Sequence, residues 1–555
     1  MLRQSPQLAR HEPWPHRGTV DATGGAGTLI SVHPLSRPAL PVGISVVLAA
    51  LTGVLLGTGQ APMGVWPATI AGLALFTWLI SGRTAWQAAG LGGVVGLAMN
   101  AITIHWVYVL GVPVAFALVL FMSLWSVLLA VMVSLITRIR GWMFLVPAAW
   151  VAVEVASGRI PFGGFPWNRL AYTTVDQPMS GWLPWVGATG VAFLLALVAQ
   201  LALLSVLDRR MRLRTVAAAA VLFVAGGALK LVPQAEPEEQ VTIGVVQGNV
   251  NRELHGTSAY ASSVTNNMLS ETIFLMASNR ATGEEPIDFV LWPENATDRD
   301  PLTQPETRRL VETSTAIAEV PILVGAVMEG PDPETTRQTS GIWWDPVTGP
   351  GDRYDKRNLV PFGEYIPFRD FLLPRLPILE QIGRQSIPGT EPGVIEAPTE
   401  DHQYLLVGNV ICFELAWDAT VYDTVRGQAD VIVSQSNTNT YGGTFEVPQQ
   451  LVINRVRAME LGREVVVSTL NSVSTLVEPT GEVREPTAEF TAAHRTFTVP
   501  KRSNVNLAVL VSPWLGIILA TVGFGAAGYA GAQGWRTRRS DRLPRQSPAA
   551  NGTIR

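Results

Sequence analysis

The 555-residue chain reads as a multi-pass α-helical membrane protein that carries an α/β domain late in its sequence. Three observations predict this. Apolar stretches of about 20 residues, the length that a bilayer core requires, recur along the first part of the chain. Arginines gather in every second short loop between them, the mark of loops held on the cytoplasmic side. From residue 233 the composition changes: acids become frequent, and β-branched runs alternate with helical periodicity. The overall composition agrees, with 48% of residues hydrophobic and only 15% charged.

The head, residues 1–38 ("MLRQSPQLARHEPWPHRGTVDATGG…"), is rich in Arg, His, Pro and Gly and lacks apolar periodicity, so it is predicted to be disordered. It is too long and polar before the first apolar run for a cleaved signal peptide. Residues 39–232 hold seven predicted spans, near 40–58, 62–81, 86–107, 112–136, 141–157, 181–207 and 215–232, the fifth of which contains Glu154. An eighth lies near 506–532, inside a segment 504–534, and residues 535–555 form a second polar tail. Arg83 follows span two, Arg138 and Arg140 follow span four, Arg209, Arg210, Arg212 and Arg214 follow span six, and Arg536, Arg538 and Arg539 follow span eight. The loops around 58–61 and 108–111 carry no Lys or Arg. Both termini are therefore expected in the cytoplasm and residues 233–503 outside it.

Candidate strands in the outer segment are 241–249, 288–294, 321–329, 340–347, 404–414, 430–437, 464–471 and 474–481, with helical patterns near 257–280, 305–318 and 446–462. Sheets covered by helices are the expected architecture. The single cysteine, Cys412, excludes an intramolecular disulfide framework and multi-thiolate zinc sites. The seven histidines (11, 16, 33, 105, 255, 402, 494) form no zinc-type pair, and no metal or cofactor is expected. His105, within span three, marks a polar position in the membrane. A net charge of −4 without a long basic run on a folded segment argues against a nucleic-acid partner.

Three strand ends or loops bear reactive groups. "VLWPENATD" brings Glu294, "RYDKRNLVPFGEYIPF" (353–368) brings Lys356 and Glu364, and "VGNVICFELAWD" brings Cys412. Singly, each has an ordinary explanation as core thiol, solvated acid or surface lysine. Together a carboxylate, an ammonium and a thiol suffice for acyl transfer. The carboxylate takes the thiol proton, and the ammonium, aided by the backbone N–H of Phe413, stabilises first the thiolate and then the oxyanion.

In order and spacing, Glu294, then Y-x-K-x-x-L-V-P-F-G-E-Y-x-P, then I-C-F-E resembles the nitrilase, or carbon–nitrogen hydrolase, superfamily with its Glu-Lys-Cys triad. The spans and "VPFGEY" narrow the likeness to its integral-membrane branch, the apolipoprotein N-acyltransferases. "GRIPFGGFPWNRLAYT" (158–173) and the run 454–483 agree, so the likeness spans about residues 40–530. It implies an α-β-β-α sandwich inserted between spans seven and eight, at the outer face of a bacterial cytoplasmic membrane. It also implies Glu294 as base, Lys356 as stabiliser and Cys412 as nucleophile, with Glu364 and Glu414 in support.

The implied reaction takes an acyl chain from a membrane phospholipid and passes it to the α-amine of an S-diacylglyceryl-cysteine apolipoprotein. No cofactor is implied, and the chain is expected to act as a monomer. Trp292, Phe362, Tyr365, Phe368 and Tyr441, with the loops at 165–167 and 184–185, are candidates for an apolar approach to the thiol; interfacial anchoring is the other role open to them. The chain departs from the family at "SQSNTNTYGGT" (434–444), where Thr438 stands for an acid, and at Phe413, which replaces a tyrosine. A membrane-tethered amidase and an idle membrane scaffold remain as alternatives.

Overall fold

The computed structural model describes residue 35 and residues 40–233, 239–250, 258–283, 285–398 and 404–540. Apart from Leu35, the expected disordered head lies outside the described residues, as does the tail from 541.

Seven apolar helices come first: α1 (Val42–Thr58), α2 (Trp66–Ile80), α3 (Ala85–Thr103), α4 (Val112–Ile136), α5 (Trp142–Ser157), α6 (Leu183–Leu207) and α7 (Arg212–Leu229). Each begins or breaks where its sequence dictates. Thr84 caps α3 by accepting from the Gln87 N–H at 3.3 Å, while the Gln87 side chain accepts from the Thr84 N–H at 3.4 Å. Gly187, at φ 66°, kinks α6 after its first turn. Glu154, the acid inside α5, is satisfied by the chain that follows, accepting from the Leu170 N–H at 2.8 Å.

Five helical segments among the described residues are long and apolar enough to cross a membrane: Ala85–Thr103, Val112–Ile136, Pro178–Leu207, Arg212–Leu229 and Leu507–Arg536. Helices α1, α2 and α5 have 17, 15 and 16 residues. At 1.5 Å per residue these are shorter than the roughly 30 Å hydrocarbon core. The expected second span, 62–81, is shortened because Pro62 and the left-handed Gly64 hold its beginning in a turn.

The α/β part alternates β1 (Gln240–Gln247), α8 (Ser258–Thr282), β2 (Phe289–Leu291), α9 (Pro305–Ala318), β3 (Ile322–Glu329), β4 (Thr336–Asp345) and β5 (Gly349–Asp355). A loop with the short α10 (Arg369–Leu372) and β6 (Gln385–Ser386) leads to β7 (Val394–Pro398) and β8 (Tyr404–Ile411). Then come α11 (Asp418–Arg426), β9 (Val431–Ser436), α12 (Glu446–Leu461), β10 (Val465–Thr469), β11 (Thr475–Val477), β12 (Val483–Arg484) and β13 (Ala493–Pro500).

One sheet runs β13-β1-β2-β3-β4-β5 with β6 beside β4; the other runs β12-β11-β10-β9-β8-β7. Ile243, Phe289, Leu323 and Trp343 of the first meet Val407, Val433 and Val466 of the second in the central core. α8 and α9 pack on the outer face of the first sheet, and α11 and α12 on that of the second. This is the expected four-layer sandwich. A last apolar helix, α13 (Leu507–Ser540), follows β13. It continues past residue 535, where a disordered tail was expected.

Buried charges fasten the sandwich to the helices. Arg169, in the loop after α5, reaches Asp418 at 2.5 Å and Thr189 Oγ1 at 3.0 Å. Arg457 of α12 bridges Asp418 at 2.8 Å and Glu460 at 2.5 Å, and donates to the carbonyls of Leu415 and Ala416. Glu460 in turn accepts from the Ala188 N–H and the Tyr422 hydroxyl, both at 2.6 Å.

Candidate active site

Glu294, Lys356 and Cys412 come from three strand ends, and the structure brings them together. Trp292, just beyond β2, donates its N–H to the Leu323 carbonyl at 3.0 Å, and Glu294 follows two residues later. β3 passes so close that a Cβ on Gly325 would lie 2.0 Å from the Pro293 carbonyl oxygen, so only glycine fits there. The Gln435 amide of β9 donates to the Trp292 carbonyl at 2.6 Å and accepts from Asn409 of β8 at 2.8 Å. This buried relay crosses between the sheets and fixes the Glu294 turn relative to the strand that ends at Cys412.

Lys356 follows β5 and continues its pairing by donating its N–H to the Thr339 carbonyl at 2.9 Å. Its ammonium, 2% exposed, lies 3.1 Å from Glu294 Oε1 and 2.9 Å from Glu364 Oε1. The other oxygens of both acids are held by backbone: Glu294 Oε2 by the Asn437 N–H at 2.8 Å, and Glu364 Oε2 by the Val360 N–H at 2.7 Å. Burial alone would depress Lys356, but Glu294 and Glu364 outweigh it and hold its pKa well above the ordinary range. Burial pushes Glu294 upward; Lys356 opposes this and Glu364 adds to it.

Cys412 begins a tight turn at the end of β8 with φ 54°, a left-handed conformation that costs a non-glycine residue about 1–2 kcal/mol. Burial and then Glu294 push its thiol well above the usual range, against the pull of Lys356. At rest the sulfur therefore keeps its proton, and an attacking thiolate must pass that proton to a neighbour as the new bond forms. The amide of Gln450 donates to Cys412 Sγ at 3.8 Å and to Ser436 Oγ at 3.3 Å.

Glu414 does not share the thiol's hydrogen bonds. Its carboxylate accepts from the Tyr354 hydroxyl (2.9 and 3.0 Å) and from the N–H groups of Arg357 (2.8 Å), Asn358 (3.0 Å) and Ile411 (3.0 Å). It ties the lysine loop to the cysteine turn. Phe413 is packed: its ring stacks on Trp167 at 5.0 Å and on Phe165 at 5.4 Å, with Trp417 edge-on at 4.8 Å. The FPW loop thus touches the residue next to Cys412.

Of the approach residues, Phe362 and Phe368 are exposed, and both have positive φ. Phe368 meets Phe162 edge-on at 5.5 Å, and the Tyr365 hydroxyl reaches the Phe162 carbonyl at 3.5 Å. Tyr441 stands edge-on to Trp106 at 5.1 Å. Trp292 has to be corrected. It is fully buried in the core beneath the first sheet, where its indole donates to Thr272 Oγ1 at 3.0 Å, and no substrate can approach along it. Trp185 sits in the first turn of α6 and is exposed. His105 meets Phe445 edge-on at 4.8 Å.

Sequence reasoning missed the polar face of α12. Gln449 accepts from the indoles of Trp106 (2.9 Å) and Trp167 (2.6 Å) and donates to the carbonyls of Ala61 and Thr103, both at 2.9 Å. Gln450 touches the sulfur, and Glu446 is buried a turn earlier. The signal was present: a helix meant to cover a sheet carries Glu446, Gln449, Gln450, Asn454, Arg457 and Glu460, all of them buried.

Residues 52–201 match the family model for the apolipoprotein N-acyltransferase N-terminal domain, and residues 242–500 match that for carbon-nitrogen hydrolase. An apolipoprotein N-acyltransferase of Mycolicibacterium smegmatis is 30% identical, the match covering 85% of this chain and 82% of that protein. One from Vibrio parahaemolyticus is 25% identical, covering 87% and 98%. A crystallised amidase from Nesterenkonia sp. AN1 aligns with 49% of this chain and 95% of its own, at 12% identity and a TM-score of 0.33. On the strength of the mycobacterial relative and the two domain matches, the chain belongs to the apolipoprotein N-acyltransferase family, an acyltransferase family of bacterial membranes, and carries a carbon-nitrogen hydrolase domain.

Proposed function

We propose that this chain moves a fatty acyl group from a membrane phospholipid to the α-amine of an S-diacylglyceryl-cysteine apolipoprotein, by way of a thioester on Cys412. The observation that carries the reading is the buried Lys356 between Glu294 and Glu364, among the charges felt by a protonated thiol. Glu294 takes the thiol proton while sulfur attacks the ester carbonyl. Lys356 and the Phe413 N–H meet the oxyanion, and lysophospholipid leaves with the proton. In the second half-reaction the amine attacks the thioester and sulfur departs.

The apolar rings of Phe165, Trp167 and Phe413 keep water from the thioester, which favours transfer over hydrolysis. All eight apolar helices cross the membrane in this reading, the three short ones with locally thinned bilayer or flanking aromatic residues. The termini are cytoplasmic, residues 39–232 and 504–534 form the membrane part, and 233–503 form the outer catalytic domain, acting as a monomer.

The test is intact-protein mass spectrometry of the full chain in detergent, incubated with phospholipid and no acceptor. We expect a gain of one acyl group that neutral hydroxylamine removes and that Cys412→Ala lacks while remaining folded. Free fatty acid as the main product in the presence of acceptor would replace this reading with an amidase-type hydrolase; an unacylated, folded wild type would point to a scaffold.

A further inference from the structure

α12 opens with Glu446, which is only 4% exposed and whose Oε2 has no hydrogen-bond partner among the described residues. Gln450, one turn later, donates to Cys412 Sγ. Residues four apart lie side by side on one face of a helix, so Glu446 stands next to Gln450 on the face turned toward the thiol. Its field reaches both Cys412 and Tyr441, and Glu294 acts on it in turn. An unpaired carboxyl oxygen away from water is costly. Around the sulfur, Glu294, Glu364 and Glu446 face the single ammonium of Lys356, which is already engaged by the first two. The other cation near these acids, Arg337, acts on Glu364 and Glu294, and among the described residues no cation pairs with Glu446.

We propose that Glu446 receives the acceptor's α-ammonium and takes its first proton, a role separate from the Glu294, Lys356 and Cys412 set and one that rests on the transfer reading above. One ammonium proton passes to the Glu446 carboxylate. The freed amine lone pair attacks the thioester carbonyl, so the C–N bond forms and the C–S bond breaks. The second nitrogen proton goes through Glu294 to the departing sulfur, giving amide and thiol. Glu446 then returns its proton to water. Burial first, then Glu489 and Glu294, push the Glu446 pKa up to about 8, so part of the population is carboxylate near neutral pH and an arriving ammonium favours that form. An α-amino group titrates at about 7.7–8.0, so the proton moves between matched partners.

The experiment separates the half-reactions in the full chain with Glu446→Gln. The acyl-enzyme is formed from phospholipid, freed of donor, and chased either with a synthetic S-diacylglyceryl-cysteinyl peptide or with hydroxylamine, a nucleophile uncharged at neutral pH. We expect charging to be retained, the peptide chase to slow by roughly 10²-fold or more, and the hydroxylamine chase to stay within about threefold. Glu446→Asp should restore part of the peptide chase. A Gln variant that chases the peptide at the wild-type rate overturns the proposal, and so does equal slowing of both chases or failure to charge. If the wild type itself never charges, the transfer reading falls instead.

Discussion

Two buried charge clusters sit on opposite ends of α12, and they are built to opposite rules. Around Arg457 the count closes: Arg169 and Arg457 face Asp418 and Glu460, and the remaining donors and acceptors meet backbone or hydroxyl groups. Around Cys412 the count stays open, with the Lys356 ammonium engaged by Glu294 and Glu364, an unpaired oxygen on Glu446 and the thiol-bearing residue in a left-handed conformation. A closed cluster holds two parts of a protein in register. An open one has to be held in that state by its surroundings.

The sharpest way to break this contrast is Lys356→Ala. Removing the only ammonium should cut acyl-enzyme formation about 10²–10³-fold with Cys412 still present and the protein folded, as followed by single-turnover mass spectrometry. Near-normal charging would mean that Phe413 and its turn stabilise the oxyanion without the lysine. Next in size is Arg457→Leu, which leaves the buried Glu460 without its cation and Asp418 with Arg169 alone. It should cost roughly 3–5 kcal/mol, read as a lowered thermal midpoint in detergent. A midpoint shift no larger than that of an exposed control such as Arg308→Leu would show that the closed cluster does not fasten the two parts.

The smallest effect concerns acid. Burial alone would raise Asp418, but Arg169 and Arg457 reverse this and hold it well below the usual carboxylate range. Its contribution to stability is thus full above the unfolded value of about 3.9 and is lost as pH falls through the depressed folded one. The thermal midpoint of the wild type should decline on acidification below about pH 4, and that of Asp418→Asn should decline less. Parallel declines would assign acid sensitivity to other carboxylates.

That Glu294, Lys356 and Cys412 belong to one cluster was legible because each closes a segment with its own signature: an apolar run for Glu294 and Cys412, and an aromatic Pro-Gly loop for Lys356. α9 and α12 were placed within a residue of their ends, since their apolar spacing is helical. β5, "GPGDRYD", was not legible, because one edge of it is exposed and its turn residues mask any alternation. β13, "AHRTFTVP", was missed for a related reason: it is half-exposed, and its place beside β1 depends on pairing with a strand some 250 residues away. Trp292 misled because a tryptophan beside a catalytic acid can point to either face of the sheet, and here the indole finds its partner, Thr272, in the core. Glu446 and Gln449 match no motif; only the run of polar residues on a helix meant to cover a sheet pointed to them, and the indoles that Gln449 meets lie more than 280 residues earlier.

α12 presents Glu446 and Gln450 to the thiol, Gln449 to three loops from the helical part, and Arg457 with Glu460 to α6 and α11. Each residue added to or removed from an α-helix turns everything beyond it by about 100°. A single deletion between Glu446 and Arg457 would leave every side chain in the alphabet of the helix but aim one end of it wrongly. A change of length in this helix therefore does more harm than a change of any one side chain, and natural variants should place their insertions and deletions elsewhere.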